Sequence, residues 1–139
     1  LSNIDFSYQN FKNNIFANSI LKSSNLSNSD FSNVDFSYAS LNSANFNQSI
    51  LINSTLYMAD LGAANLSESN LSGSNLLKSY VKNTNLNNIV INSNTLIDTC
   101  FSNNLIDKIQ CKIFRLTSIG NPPYPTTYEH RDNYKINYP

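Results

Sequence analysis

An apolar residue stands at every fifth position from Leu1 to Phe101 without a gap, and that period leaves few folds open. The series is Leu1, Phe6, Phe11, Phe16, Leu21, Leu26, Phe31, Phe36, Leu41, Phe46, Leu51, Leu56, Leu61, Leu66, Leu71, Leu76, Val81, Leu86, Ile91, Leu96, Phe101. A helix repeats about every 3.6 residues and a strand every second one, so neither puts every fifth residue on one face. Five is therefore the length of a structural unit, and such repetition sets the architecture before local propensity does. The 26 Asn and 21 Ser among 139 residues would otherwise read as low complexity or disorder. The strict phase of the apolar residues overrides that reading.

The neighbours of each apolar residue carry a pattern of their own. Two positions earlier the residue is usually small, as at Ser24, Ala39, Ala44, Ser54, Ala59, Ala64, Ser69 and Thr84. One position earlier it is often Asp or Asn: Asp5, Asn10, Asn25, Asp30, Asp35, Asn45, Asp60, Asn65, Asn70, Asn75, Asn85. Runs such as Ala59-Asp60-Leu61 and Ala64-Asn65-Leu66 resemble the pentapeptide-repeat family, whose consensus is A(D/N)LXX. The resemblance covers residues 1–101. It implies an all-β fold: a right-handed, four-sided parallel β-helix with one pentapeptide per side and twenty residues per coil.

Elementary geometry supports what the resemblance implies. In an extended segment, residues two apart share a face, so the large and the small residue both point inward. The residue between them points outward, where Asp or Asn bonds to water or nearby backbone. The last two positions turn the chain. The second of them is often Asn or Gly (Asn3, Asn13, Asn18, Asn28, Asn33, Asn53, Gly73, Asn83, Asn88), as a type II turn requires at its positive-φ residue. Right-handedness follows the general preference of parallel crossovers.

Coils about 4.8 Å apart bring residues twenty apart into contact. Phe6, Leu26, Phe46, Leu66 and Leu86 should form one core column, and Phe16, Phe36, Leu56, Leu76 and Leu96 the opposite one. Leu41, Leu61 and Val81 should stack on a third side. Inner Ser and Thr hydroxyls need partners, which neighbouring backbone can supply. Gln9 and Asn14 occupy small-residue slots, which suggests a distorted first coil; an uncapped first coil also exposes a parallel edge. The chain starts at Leu1, without Met and already in phase, as a fragment, a processed form or a chain lacking its upstream part would.

Past 101 the period breaks. Leu105, Ile109 and Ile113 follow helical spacing, so 102–120 is expected to hold a short amphipathic cap helix, with a partner-binding helix as the alternative. Residues 121–139 form an extended Tyr- and Pro-containing tail, expected to pack back along the rod or to lie on another protein. Cys100 and Cys111 are either a disulfide pinning the cap, which implies an oxidising compartment, or two buried free thiols. No stretch approaches the roughly 18 apolar residues of a membrane span, and no signal peptide is visible. A soluble chain is expected, its compartment open.

The sequence argues against an enzyme. His130 is the single histidine, it lies in the polar tail, and no second His or nearby Cys completes a metal set. The acids are scattered on outward positions, and three glycines in all make no phosphate loop. No cofactor, metal or small-molecule substrate is indicated. Some relatives in the resembled family bind DNA gyrase as mimics of a DNA duplex, protecting against quinolones, which is the alternative reading. A duplex carries one charge per roughly 1.7 Å, so a rod about 24 Å tall would need on the order of 14 negative charges. Residues 1–101 hold six acids and four lysines, a net of −2. Direct nucleic-acid binding is equally unsupported, since no basic face accompanies the aromatics in the sequence.

What remains is a rigid scaffold that binds other proteins. Outward positions twenty apart also stack, and one column reads Ala17, Ser37, Tyr57, Leu77, Ile97, with Tyr38, Met58 and Tyr80 at its margin. Ile50 and Ile52 add apolar side chains on the adjoining side, and Tyr124 and Tyr128 in the tail are further contact candidates. A contiguous apolar stripe marks an interface more often than scattered residues do, and tolerated drift is the competing account.

Overall fold

The computed structural model describes residues 2–96 and 136–137. The chain from 2 to 96 winds as a four-sided parallel solenoid. Fifteen single-residue parallel bridges join successive coils, from Asp5 with Asn25 to Asn75 with Leu96. Fourteen of them connect residues twenty apart, so each coil is four pentapeptides. Side A carries Phe6, Leu26, Phe46, Leu66 and Leu86; side B carries Phe11, Phe31, Leu51, Leu71 and Ile91; side C carries Phe16, Phe36, Leu56 and Leu76; side D carries Leu21, Leu41, Leu61 and Val81.

Each pentapeptide earns its corner by the same local chemistry. The fourth residue of the turn donates its N–H to the carbonyl of the apolar residue three before it, as Ala39 does to Phe36 (3.0 Å) and Ala64 to Leu61 (2.9 Å). The residue two after each apolar position has φ between 55° and 70° at all eighteen sites from Asn3 to Asn88. Asn and Gly suit that left-handed region, but Tyr8, Tyr38, Met58, Ala63, Glu68 and Lys78 are held there too. What holds them is the neighbouring coil: the N–H groups of Tyr8, Tyr38, Met58, Ala63 and Glu68 lie in the inter-coil ladder, as in Tyr38 N–H to the Tyr57 carbonyl (2.9 Å) and Met58 N–H to the Leu77 carbonyl (3.1 Å).

The outward Asp or Asn has a specific job. All eleven of those picked out by the repeat accept the backbone N–H two residues on, closing an Asx turn at the corner. Asn65 Oδ1 also takes the Ser67 hydroxyl at 2.6 Å. Inside, the hydroxyls of Ser54, Ser69, Ser74 and Ser79 donate to the apolar residue's carbonyl three positions back, at 2.6–2.8 Å. Thr84 instead reaches the Leu61 carbonyl of the preceding coil (2.7 Å). Among buried side-chain polar atoms of the described residues, Ser19 Oγ, Ser49 Oγ and Asn87 Oδ1 lack a protein partner.

The apolar columns fill the interior. Leu26, Phe36, Phe46, Leu56, Leu66, Leu76 and Leu86 have no exposed surface, and Leu41, Leu61 and Val81 are likewise buried on side D. Phe6, Phe11 and Phe16 of the first coil are only partly buried, because no coil covers them among the described residues. That coil keeps the turn geometry of the others, so it is not distorted. Gln9 and Asn14 stay outside: Gln9 Nε2 donates to the Ser7 carbonyl (3.2 Å) and Asn14 Nδ2 to those of Phe11 (2.9 Å) and Lys12 (3.4 Å). Two amides thus bond carbonyls of their own coil instead of being buried.

Leu96 departs from its expected place. It is not the last member of the side C core column; it is about one-third exposed and bridges Asn75 at a spacing of twenty-one residues. One extra residue enters the turn after Ile91. The register of five would have put Asn94 in the small inner slot, and burying an amide there is costly. The slip places Thr95 inside instead, 5% exposed, with its hydroxyl 3.0 Å from the Leu71 carbonyl. The N–H groups of Gly73 (3.2 Å) and Asn92 (3.1 Å) donate to the same hydroxyl. Just before this turn, strand β1 (Ile89–Val90) pairs in parallel with β2 (Ile136–Asn137) of the tail. The segment 102–120 expected to hold a cap helix, and Phe101, Ile97, Tyr124, Tyr128, His130, Cys100 and Cys111, lie outside the described residues.

Candidate interaction face

The side C to side D corner gathers the largest share of the outward apolar residues chosen from the sequence. Tyr57 and Leu77 stack one above the other and are half-buried; Ala17 and Ser37 continue their column. Tyr38 and Met58 stand beside them at positive-φ positions and are 54% and 44% exposed. The rings of Tyr38 and Tyr57 meet edge to face with centroids 5.8 Å apart. That geometry suits the ring quadrupole and fixes both side chains against the corner.

Tyr80 extends this surface across side D. Its backbone bridges Asp60, and its ring lies over Gly62 of the coil before it. A Cβ built at Gly62 would come within 3.0 Å of Tyr80 Cε1 and 3.1 Å of Asp60 Oδ1. Glycine there leaves the ring room to lie along the face. Sequence reasoning placed Tyr80 at the margin of the stripe but missed Gly62, which sits eighteen positions earlier and so falls outside the twenty-residue columns. Ile50 and the half-buried Ile52 lie on side B, around the corner from this group. Tyr8, Ile15 and Ile20 are also exposed, all on the first coil, Ile15 and Ile20 in the outward slot where Asp or Asn is usual.

Charge is unevenly placed around the rod. Lys22 and Lys82 fall in the outward column of side D that also holds Asn42 and Gly62, and Lys78 ends the corner column of Tyr38 and Met58. The fourth lysine of the described residues, Lys12, is on side B, 3.3 Å from Asp30. Burial works to raise the Asp30 carboxyl, but the Ser32 hydroxyl and N–H, with Lys12, outweigh it and hold it below the usual carboxylate range. Asp5, on side A, is lowered chiefly by the Ser7 N–H and then by its hydroxyl. Both shifts belong to corner bonding and not to acid–base chemistry. Among the described residues no three His, Cys, Asp or Glu side chains cluster as a metal-binding group. None of the described helices is long and apolar enough to cross a membrane.

A solenoid of stacked pentapeptides that presents side faces defines a repeat scaffold, and comparison with known proteins gives it a family. The family model for pentapeptide repeats matches residues 1–37, 29–67 and 64–103 in eight copies, and the chain belongs to that family. Its fold is the family's right-handed quadrilateral parallel β-helix. Among curated proteins none matches the sequence. Of the solved structures it is similar to a pentapeptide repeat protein from the Arabidopsis thaliana thylakoid lumen (23% identity, 64% of this chain and 55% of that one, TM-score 0.38). It is also similar to HetL of Nostoc sp. strain PCC 7120, involved in heterocyst differentiation regulation (15% identity, 70% and 62%, TM-score 0.36). A third is QnrB1, a plasmid-mediated fluoroquinolone resistance protein (15% identity, 69% and 66%, TM-score 0.30). The chain spans 55% and 62% of the length of the first two.

Proposed function

We propose that this chain is a non-enzymatic interaction module, a rigid β-helical rod that docks another protein on its side C to side D corner within a larger assembly. The observation that carries this reading is the grouping of Tyr38, Tyr57, Met58 and Leu77 at this corner, with Tyr80 exposed on the adjoining side D. Its backbone is fixed by the inter-coil ladder, so the ridge is already in shape before a partner arrives and little conformational entropy is lost on docking.

The gyrase-binding alternative finds little support in charge. The described residues carry five acids and four lysines, a net of −1, far from the roughly 14 negative charges a rod of this height would need to imitate a duplex. The test is the double variant Tyr57→Asp with Leu77→Asp. Its circular dichroism should match wild type, because both side chains point outward from the core, while complexes recovered from the native source lose a component. If every component survives on a folded double variant, the docking face is wrong. A gyrase supercoiling assay on the wild-type chain separates the two readings: inhibition would support the alternative.

A further inference from the structure

We propose that the partner surface taken by the side C to side D corner is an acidic one, a segment in which Asp or Glu flank apolar side chains; this rests on the docking reading above. The argument is charge placement. Three of the four lysines among the described residues frame the aromatic ridge: Lys22 toward one end of the rod, Lys78 and Lys82 toward the other. Lys22 and Lys82 share one outward column of side D, three coils apart, so their backbones are about 14 Å from each other along the axis. Lys78 follows Leu77 at the corner itself. All three are exposed.

Among the described residues the acids fall elsewhere. Asp5 and Glu68 are on side A, Asp30 is on side B beside Lys12, and Asp35 is on side C facing outward with one oxygen bound to the Ser37 N–H. Asp60 is the single acid of side D among the described residues, and its Oδ1 accepts the Gly62 N–H at 2.9 Å. Among the described residues, side D with its corner carries three lysines against one acid, while sides A and B together carry Asp5, Asp30 and Glu68 against Lys12. A near-neutral rod is thus polarised across its width, with its positive edge on the aromatic ridge. Such a rim steers encounter and rejects basic partners, while the ridge supplies the desolvated contact area.

The experiment uses the full chain as bait for a displayed library of random peptides, selected in parallel on wild type and on Tyr57→Asp with Leu77→Asp. Wild type should enrich peptides that combine Asp or Glu with Leu, Phe or Trp, and the double variant should not. A synthesised representative should lose roughly tenfold or more in affinity to the folded triple variant Lys22→Glu, Lys78→Glu, Lys82→Glu, and should weaken as salt rises. Lys→Gln at the same three sites should give an intermediate loss. Enriched peptides that need Tyr57 and Leu77 but carry no acids, or survive the triple reversal, overturn the acidic partner and leave the docking face standing. Peptides indifferent to both sets of variants, or no enrichment over the double variant, overturn the docking face as well. Duplex DNA or anionic vesicles bound more tightly than the peptides through the same lysines, or self-association of the chain through this face, would also overturn the assignment.

Discussion

The Phe36→Ala variant tests the packing most directly. Phe36 is fully buried at mid-rod, and its ring meets Phe16 (5.4 Å, near-parallel), Phe31 (5.3 Å) and Phe46 (5.7 Å, near-perpendicular). A phenylalanine side chain of this kind buries on the order of 150 Å² or more, which at about 25 cal/mol per Å² is close to 4 kcal/mol. The coils above and below are pinned by the ladder, so they cannot collapse into the space left, and a cavity penalty adds to the loss. An expected cost of about 4 kcal/mol is a large part of the stability of an ordinary domain. Phe16→Ala removes a ring from the same column, but one already partly exposed and covered on one side only. Its cost should be about half as large, roughly 2 kcal/mol. Urea unfolding followed by far-ultraviolet circular dichroism, with amide exchange to place the loss along the rod, measures both. Equal costs for the two variants, or a Phe36→Ala cost below about 1 kcal/mol, would refute the claim that the interior is close-packed at mid-rod and open at the first coil.

Asn65→Ala deletes the acceptor for the Ser67 N–H and hydroxyl and should cost about 1 kcal/mol, with Asn65→Asp nearly silent at neutral pH; thermal melts of the three proteins decide it. Thr95→Val keeps the shape but removes the hydroxyl that serves Leu71, Gly73 and Asn92, so a loss of about 1–3 kcal/mol is expected from leaving buried groups unpaired. Asp30 is lowered in the folded chain, so its contribution is fully present above its unfolded pKa near 4 and fades as pH falls through the lower folded value. Melting temperature should therefore hold above about pH 5 and drop below about pH 4, and Asp30→Asn should flatten part of that drop; a variant with an unchanged profile would remove Asp30 from the account.

Much of the solenoid was legible because every coil repeats the same arithmetic. Leu41, Leu61 and Val81 had to share a wall once twenty residues made a coil, and Asn3 or Gly73 marked where φ turns positive. The outward Asp and Asn were expected to bond water or nearby backbone, without a specific partner. Their common target, the N–H two residues on, emerges from the depth of the corner and not from spacing. The slip after Ile91 was hidden because Leu96 and Phe101 continue the fivefold series in the sequence. There the need to keep the Asn94 amide out of the core outweighs the pull of one leucine toward it. Gln9 and Asn14 misled in the opposite sense: a slot that is interior at mid-rod is solvent at the first coil. For the interaction face, the columns gave Tyr57 and Leu77 directly, but the seat of Tyr80 over Gly62 depends on a ring reaching diagonally between coils. The three lysines were counted in the net charge before their common placement was seen.

The ladder that joins the coils also sets how the rod bears load. Its N–H to carbonyl bonds run along the long axis, so tension applied end to end strains one inter-coil layer at a time, and the weakest layer opens first. Each layer that gives way frees twenty residues, about 65 Å of contour for roughly 5 Å of folded height. A protein anchored at both ends would then lengthen in regular steps, a spring with a ratchet built from its own repeat.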